Sequence, residues 1–165
     1  MTGLWRIAPS LLLAACASGS TQRAGGGGAG GQEVFQQEVL QVVESYYTDF
    51  SARDWERFSG HFWPAATLTT VWQPPGEDAP RVVTTTVPDF VRLAPQGPGS
   101  RPIFEERLDS SDVRMAGNLA HVWAYYTVRF GDSTDVATWR GIDAFTLMKH
   151  DGRWRIVALA YTDVP

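Results

Sequence analysis

The sequence predicts an α+β domain, in which helices come first and a sheet of antiparallel strands follows. Apolar residues recur at three- and four-residue steps across residues 33–50, which is the spacing of an amphipathic helix. Across residues 103–162, segments long enough to be strands are separated by short turns, and Asp151-Gly152 is a strong hairpin signal. This order is typical of a sheet with helices on one face.

Two helices are predicted in the first part of this domain. Asp54 is a good N-cap for the second, short helix, which runs to about His61 before Pro64 ends the helical character. The first helix has an apolar stripe formed by Phe35, Val39, Val42, Val43, Tyr46, Tyr47 and Phe50.

The remaining elements follow from β-rich segments and from turn residues. A short helix is predicted at residues 88–93, because proline is tolerated at a first helical position. Glycine and proline predict a loop at residues 96–102. Strands are predicted at residues 66–72, 81–87, 103–115, 119–130, 137–150 and 154–162.

The N-terminus resembles a targeting segment. Residues 1–15 carry one positive charge, Arg6, and an apolar run too short to span a bilayer. The run ends in Leu13-Ala14-Ala15-Cys16, which resembles the lipobox of bacterial lipoproteins. The resemblance implies that Cys16 is lipidated and anchors the mature protein to a membrane. A secretory signal with an incidental cysteine, or a free thiol, is the alternative.

Residues 16–32 are predicted to be a flexible tether, because this glycine-rich stretch has little apolar surface to bury. The domain organisation is therefore a signal peptide at residues 1–15, a lipidated tether at 16–32 and one folded domain at 33–165. The predicted location is the cell envelope. Ala17 differs from the aspartate of an inner-membrane retention signal, which favours the outer membrane where the host has one.

Composition excludes several classes of function. A formal net charge of −4 with a single lysine argues against a nucleic-acid surface. A single cysteine excludes an internal disulfide and a cysteine-rich zinc site. The histidines and acids show no metal-ligand spacing, and no phosphate loop, dinucleotide fingerprint or nucleophile elbow is found. We therefore expect neither a metal nor a cofactor.

Four stretches of the domain match a known family: residues 54–58 with Phe62, then 120–126, 141–147 and 151–156. On these stretches the domain resembles the nuclear transport factor 2-like (NTF2-like) superfamily, in its SnoaL-like or DUF4440-like branch. The resemblance covers almost all of residues 33–165 and implies a cone: a curved antiparallel sheet wrapped around a long N-terminal helix, with one or two short helices and a pocket at the open end. Members include enzymes and proteins without catalytic activity, so the fold does not decide the function.

Asp143 is the strongest candidate for a functional polar residue. The period of two in a strand places it on an otherwise apolar face with Trp139, Gly141, Phe145 and Leu147, so it is predicted to point inward. Its position is similar to that of the acid in ketosteroid isomerases that stays protonated within an oxyanion hole. The alternative is a structural acid satisfied by Arg140, Arg129 or a helix hydroxyl.

An isomerase of that kind also needs a tyrosine donor and a general base. Tyr46 or Tyr47 on the first helix could supply the donor. The base is missing, because residues 69–72 read Thr-Thr-Val-Trp where such isomerases have an acid. The chain is also similar to scytalone dehydratase-like members around residues 53–57, but Phe50-Ser51 replaces their Tyr-Asp pair.

The three histidines are weaker candidates. His61 could act as a base near a pocket rim, although a packing or capping histidine is the favoured interpretation. His121 lies either in the pocket or on the outer face, and His150 is expected to be solvated beside the Asp151-Gly152 turn.

The favoured function is a membrane-tethered binding or accessory module for a small hydrophobic ligand. One alternative is a cofactor-independent isomerase, dehydratase or hydrolase that uses Asp143, a helix tyrosine and His61. Another is a structural envelope subunit or homodimer. The predicted pocket lining is Tyr46, Trp63, Trp72, Tyr126, Trp139, Asp143 and Phe145.

Overall fold

A computed structural model describes residues 28–73 and 76–164 of the chain. The predicted signal peptide, Cys16 and the tether up to residue 27 lie outside the described residues. The described helices are α1 (Gly28–Ala52), α2 (Trp55–Gly60) and α3 (Val87–Leu93), with a 3-10 turn at Ala94–Gln96. The strands are β1 (Phe62–Trp72), β2 (Arg81–Thr86), β3 (Ile103–Ala116), β4 (Leu119–Gly131), β5 (Val136–His150) and β6 (Arg153–Val164).

The strands form one six-stranded sheet in the order β2-β1-β6-β5-β4-β3. The pairs β3–β4, β4–β5 and β5–β6 are antiparallel, as predicted, and β1 joins the sheet through a parallel pairing with β6. The α+β class is therefore confirmed, with a mixed sheet where a wholly antiparallel one was expected.

Helix α1 begins earlier than predicted. It starts at Gly28, so residues 28–32, which were assigned to the tether, belong to the helix. The first fully buried position is Val39, and Val34 and Phe35 before it are 52% and 39% exposed. Since the apolar stripe marks only the turns that pack, it did not indicate where the helix begins.

Strand β1 also begins earlier than predicted, at Phe62 instead of residue 66. Its pairing with β6 is irregular between Phe62 and Thr67. Pro64 lies in that interval and has no N–H to donate to a sheet ladder. The proline thus interrupts the pairing without ending the strand.

The local signals at the short helices are confirmed. The Asp54 side chain accepts a hydrogen bond from the backbone N–H of Arg57 at 3.1 Å and caps α2. The Thr86 hydroxyl accepts one from the backbone N–H of Asp89 and caps α3, whose first turn contains Pro88.

The core lies between α1 and the inner face of the sheet. Strand β4 shows the alternation most clearly: Ala120, Val122, Ala124, Tyr126 and Val128 are buried, and the intervening side chains are on the outer face. From α1, the side chains that pack on this inner face are Val39, Val43, Tyr46, Tyr47 and Phe50. No helix within the described residues is long and apolar enough to cross a membrane.

Candidate functional site

A cavity of about 340 Å³ lies between α1, α3 and the inner face of the sheet. Its walls are mainly aromatic, which is typical of a small-molecule site. Its polar groups are tyrosine hydroxyls and three carboxyl groups, those of Glu106, Asp143 and Asp163. The aromatic side chains of the lining are Tyr46, Phe50, Trp72, Phe90, Phe104, Tyr126, Trp139 and Tyr161.

Asp143 is the buried acid at the floor of this cavity. It is 2% exposed, and its Oδ2 accepts a hydrogen bond from the Tyr47 hydroxyl at 2.7 Å. A helix hydroxyl therefore satisfies the acid, whereas Arg129 pairs with Glu105 and Arg140 is exposed. Burial raises the pKa of Asp143 to about 7, and the hydrogen bond from Tyr47 opposes that rise.

Glu106 is a second acid of the cavity, which the sequence analysis missed. It lies on β3, where Ser51 Oγ donates to its backbone carbonyl and accepts from its backbone N–H, both at 2.8 Å. These bonds fix β3 against the C-terminal end of α1. Burial, together with the nearby charges of Asp143 and Asp163, holds the pKa of the Glu106 carboxyl well above its usual range.

A signal for Glu106 was available in the sequence. It alternates with Phe104 and Leu108 on one face of β3, in the same way that Asp143 alternates with apolar residues on β5. Asp163 likewise follows Tyr161 by two residues on β6. Both acids lie near strand ends, where a charged residue is usually solvated, so the pattern alone was weaker than at Asp143.

Tyr126 enters the cavity across a glycine of the neighbouring strand. Its cross-strand partner is Gly141, and a Cβ atom built on Gly141 would lie 2.1 Å from Cζ of the Tyr126 ring. Only glycine leaves room for the phenol at this point. Burial and the nearby carboxylates raise the pKa of Tyr126 above its ordinary value and that of Tyr161 to about 12. Both hydroxyls therefore keep their protons at neutral pH.

The cavity brings together five of the seven predicted lining residues: Tyr46, Trp72, Tyr126, Trp139 and Asp143. Tyr47 donates a hydrogen bond to Asp143 but is not itself among the residues that line the cavity. The structure gives the positions of these residues, and a catalytic role for any of them stays a prediction.

Trp63 and Phe145 lie outside the cavity, which corrects the predicted lining. Phe145 is fully buried beneath Tyr46, with ring centroids 5.1 Å apart, and therefore belongs to the core. Trp63 lies on the other side of the irregular part of β1, where it packs against His150 and beneath the guanidinium of Arg155. The prediction placed Trp63 before the first strand, near a pocket rim, whereas in the structure it belongs to the irregular first part of β1.

His61 also lies away from the cavity, so it does not converge with Asp143 and the helix tyrosines. Its Nε2 is 2.7 Å from Asp49 Oδ2, and its backbone N–H bonds back to α2 as a C-cap. His121 lies on the outer face of β4 beside Thr146, and His150 is exposed next to Asp151. Within residues 28–73 and 76–164, no three histidine, cysteine or acidic side chains are grouped to hold a metal ion.

The cavity can bind an apolar molecule, form hydrogen bonds with it and transfer protons to or from it. The aromatic walls supply burial and the tyrosine hydroxyls can donate hydrogen bonds. Asp143, with a pKa of about 7, can accept or donate a proton near neutral pH, and the pKa of Glu106 is raised in the same direction. No lysine, arginine or histidine is found among the described residues of the lining.

Comparison with known proteins places this geometry in a fold family. A family model described as "Putative lumazine-binding" matches residues 35–162. No curated protein matches the chain.

Solved structures show the same architecture. An NTF2-like superfamily protein from Salmonella enterica has a TM-score of 0.65 at 14% identity, covering 81% of this chain and 94% of the other. A function-unknown protein from Mycobacterium tuberculosis has a TM-score of 0.68 at 16% identity, with coverages of 84% and 76%. A structure described as a "Putative Scytalone Dehydratase" from Novosphingobium aromaticivorans has a TM-score of 0.64 at 12% identity, with coverages of 81% and 87%. The predicted NTF2-like fold is confirmed.

Proposed function

The chain belongs to the family described as "Putative lumazine-binding", and from this membership and its cavity we propose that it binds a small, largely apolar molecule inside the cone. The observation that carries the proposal is the open volume of about 340 Å³ between aromatic walls. An inner face that served only for packing would fill this space with side chains, because protein cores are close-packed. The family description names lumazine, a flat heterocycle of a size that such a space accepts.

Binding is tested by native mass spectrometry of the full-length chain purified from its own host. The expected result is a retained small molecule, and lumazine and the neutral fluorophore N-phenyl-1-naphthylamine serve as defined probes. Trp72→Ala, at the cavity rim, should weaken binding of the probes. Trp123→Ala on the outer face is the matched control, since both tryptophans are about half exposed, at 52% and 47%. Failure to retain any molecule and to bind either probe would contradict the proposal.

The proposed setting is the cell envelope, with the domain held on a membrane through Cys16. Support comes from the sequence Leu13-Ala14-Ala15-Cys16 after a short apolar run. Mass spectrometry of the N-terminal peptide should find Cys16 acylated, and Cys16→Ala should move the protein from the membrane fraction to the supernatant. An unmodified thiol on Cys16 of the wild-type protein in its host would overturn this part of the proposal.

A second candidate function is acid–base isomerisation, which Glu106 specifically favours. The sequence lacks a base on its first strand, and the structure provides a second cavity carboxyl on β3. In such a reaction the ionised fraction of Glu106 would remove a carbon-bound proton from a β,γ-unsaturated ketone and return it at the γ-carbon. Protonated Asp143 would meanwhile donate a hydrogen bond to the developing oxyanion.

Absorbance of the conjugated product tests this second candidate with a cyclic β,γ-unsaturated ketone as substrate. Turnover should be lost in Glu106→Gln and kept in Glu105→Gln, whose side chain lies on the outer face. Equal rates in the two variants would exclude Glu106 as the base.

A further inference from the structure

The charge of the cavity is one-sided. Glu106, Asp143 and Asp163 contribute carboxyl groups to the described lining, and no basic side chain accompanies them. The arginines of the neighbouring strands are engaged elsewhere: Arg129 bonds to Glu105 at 3.0 Å and Arg107 to Asp109 at 2.9 Å, both on the outer face. The cavity acids are therefore either neutralised by protons or balanced by a positive charge from outside the described lining.

Several polar groups in the cavity also lack partners. Tyr46 and Tyr126 are 3% and 4% exposed and line the cavity, yet neither hydroxyl bonds to another described residue. Asp143 uses only Oδ2, toward Tyr47, which leaves Oδ1 free among these residues. The residues that carry these oxygens line the open volume of the cavity, so a ligand that brings hydrogen-bond donors could reach them.

The walls around these groups suit a positively charged ligand. Aromatic faces attract cations through their quadrupole, and the attraction strengthens as water is removed. Trp72, Phe90 and Trp139 contribute ring surface to the same lining as the acids. A metal ion would not use this surface, and the acids of the described chain are not grouped to coordinate one.

We propose that the cavity selects small organic cations, with an aromatic body against the tryptophans and a protonated amine facing Asp143 and Glu106. This inference rests on the proposed binding function and adds the chemical class of the ligand. An ammonium group would donate to the free carboxyl oxygens and supply the missing counter-charge.

Binding of a cation should also be linked to pH. Burial raises the pKa of Asp143 to about 7, so Asp143 of the empty cavity is partly protonated at neutral pH, and burial also raises the pKa of Glu106. A cation favours the ionised carboxyls, and its affinity therefore rises as the pH rises through this range. The other titratable groups facing these acids are Tyr46 and Tyr47 from α1, Tyr126 from β4, and Tyr161 and Asp163 from β6.

Three probes of similar shape test the inference by calorimetry on the full-length chain. They are tryptamine, which is a cation, 3-ethylindole, which is neutral, and indole-3-propionate, which is an anion. We expect tryptamine to bind about tenfold tighter than 3-ethylindole, and indole-3-propionate to bind weakest. Between about pH 6 and about pH 8, the affinity for tryptamine should rise and that for 3-ethylindole should stay constant.

Variants test which carboxyl group produces the preference for tryptamine. Glu106→Gln should remove most of the preference for tryptamine, and Glu105→Gln, one residue away on the outer face, should keep it. Asp143→Asn is a second test, because asparagine can still accept the hydrogen bond from Tyr47. Thermal melts establish that each variant is folded.

Binding of 3-ethylindole equal to or tighter than that of tryptamine would overturn the inference and leave the binding proposal standing. Failure of tryptamine to bind would also overturn it, whereas failure of N-phenyl-1-naphthylamine and lumazine as well would count against the binding proposal itself.

Discussion

Glu105 and Glu106 are adjacent in β3, yet they lie in two different chemical environments. Glu105 is on the outer face of the sheet, exposed and bonded to Arg129 at 3.0 Å. Glu106 is on the inner face, where burial and two neighbouring acids hold the pKa of its carboxyl well above the usual range. The two side chains are chemically identical, so the alternation of the strand alone makes one a solvated ion pair and the other a proton-holding group.

The same contrast holds for the whole sheet. The outer face of β3 and β4 carries paired charges and hydroxyls, such as Thr127 bonded to Asp109 at 2.6 Å. The inner face carries acids without basic partners inside an aromatic cavity. Electrostatic pairing dominates one face and burial dominates the other, and the proposed binding site lies on the inner face.

The largest difference between the faces should be in stability. Phe145→Ala on the inner face is expected to lower the free energy of unfolding by about 3–5 kcal/mol, because it removes a fully buried ring beneath Tyr46. Trp123→Ala on the outer face should change it by about 0.5 kcal/mol or less. Urea denaturation measures both, and a cost for Trp123→Ala equal to that for Phe145→Ala would break the comparison.

The pH dependence of stability should come from the inner acids. The folded-state pKa values of Asp143 and Glu106 are raised, so the native state holds protons that the unfolded chain has released. The contribution of Asp143 to stability is therefore fully present at low pH and is lost as the pH rises toward about 7. The free energy of unfolding should fall by about 1 kcal/mol per pH unit between about pH 5 and about pH 7.

Urea denaturation across this range checks that slope in three proteins. Asp143→Asn should reduce the slope, since asparagine does not titrate, and Glu105→Gln should leave it as in the wild type. A wild-type stability that rises with pH over the same interval would show that the sign is wrong.

A smaller loss of stability is expected from a substitution where Tyr126 of β4 lies opposite Gly141 of β5. Gly141→Ala places a methyl group within 2.1 Å of the Tyr126 ring, so the phenol must move into the cavity. The expected cost is about 1–3 kcal/mol, with weaker binding of cavity probes. Gly60→Ala is the control, because a Cβ atom at Gly60 meets nothing within 4 Å. Wild-type stability and wild-type probe binding in Gly141→Ala would contradict the packing described for Tyr126.

The smallest expected effect concerns the bond between Tyr47 and Asp143. The Tyr47 hydroxyl, which donates to Asp143 at 2.7 Å, stabilises the ionised carboxyl. Tyr47→Phe removes this donor, so the pKa of Asp143 should rise further. The expected loss of stability is about 1–2 kcal/mol. Carboxyl ¹³C NMR gives the titration midpoint, and an unchanged midpoint in Tyr47→Phe would show that the hydroxyl has no influence on the acid.

The sequence predicted the fold where local pattern and packing agree. The stripe of α1, the cap at Asp54 and the turn at Asp151-Gly152 are each read from a few neighbouring residues. The parallel pairing of β1 with β6 and the position of Trp63 outside the cavity were not predicted, because both depend on contacts between distant parts of the chain.

The site was predicted only in part for the same reason. Asp143 was found because a mid-strand acid among apolar residues conflicts with its neighbours. Glu106 lies nearer the start of its strand, where the same conflict is a weaker signal because acids at strand ends are usually solvated. Its effect on the cavity arises from the meeting of β3, β5 and β6, which no single segment of sequence shows.

The titration of Asp143 in the wild-type protein tests most directly whether burial without a basic partner controls the inner face. Carboxyl ¹³C chemical shifts of aspartate-labelled protein, assigned with Asp143→Asn, give its midpoint. The account predicts a midpoint of about 7. A midpoint near 4, the value of an ordinary solvated aspartate, would contradict it.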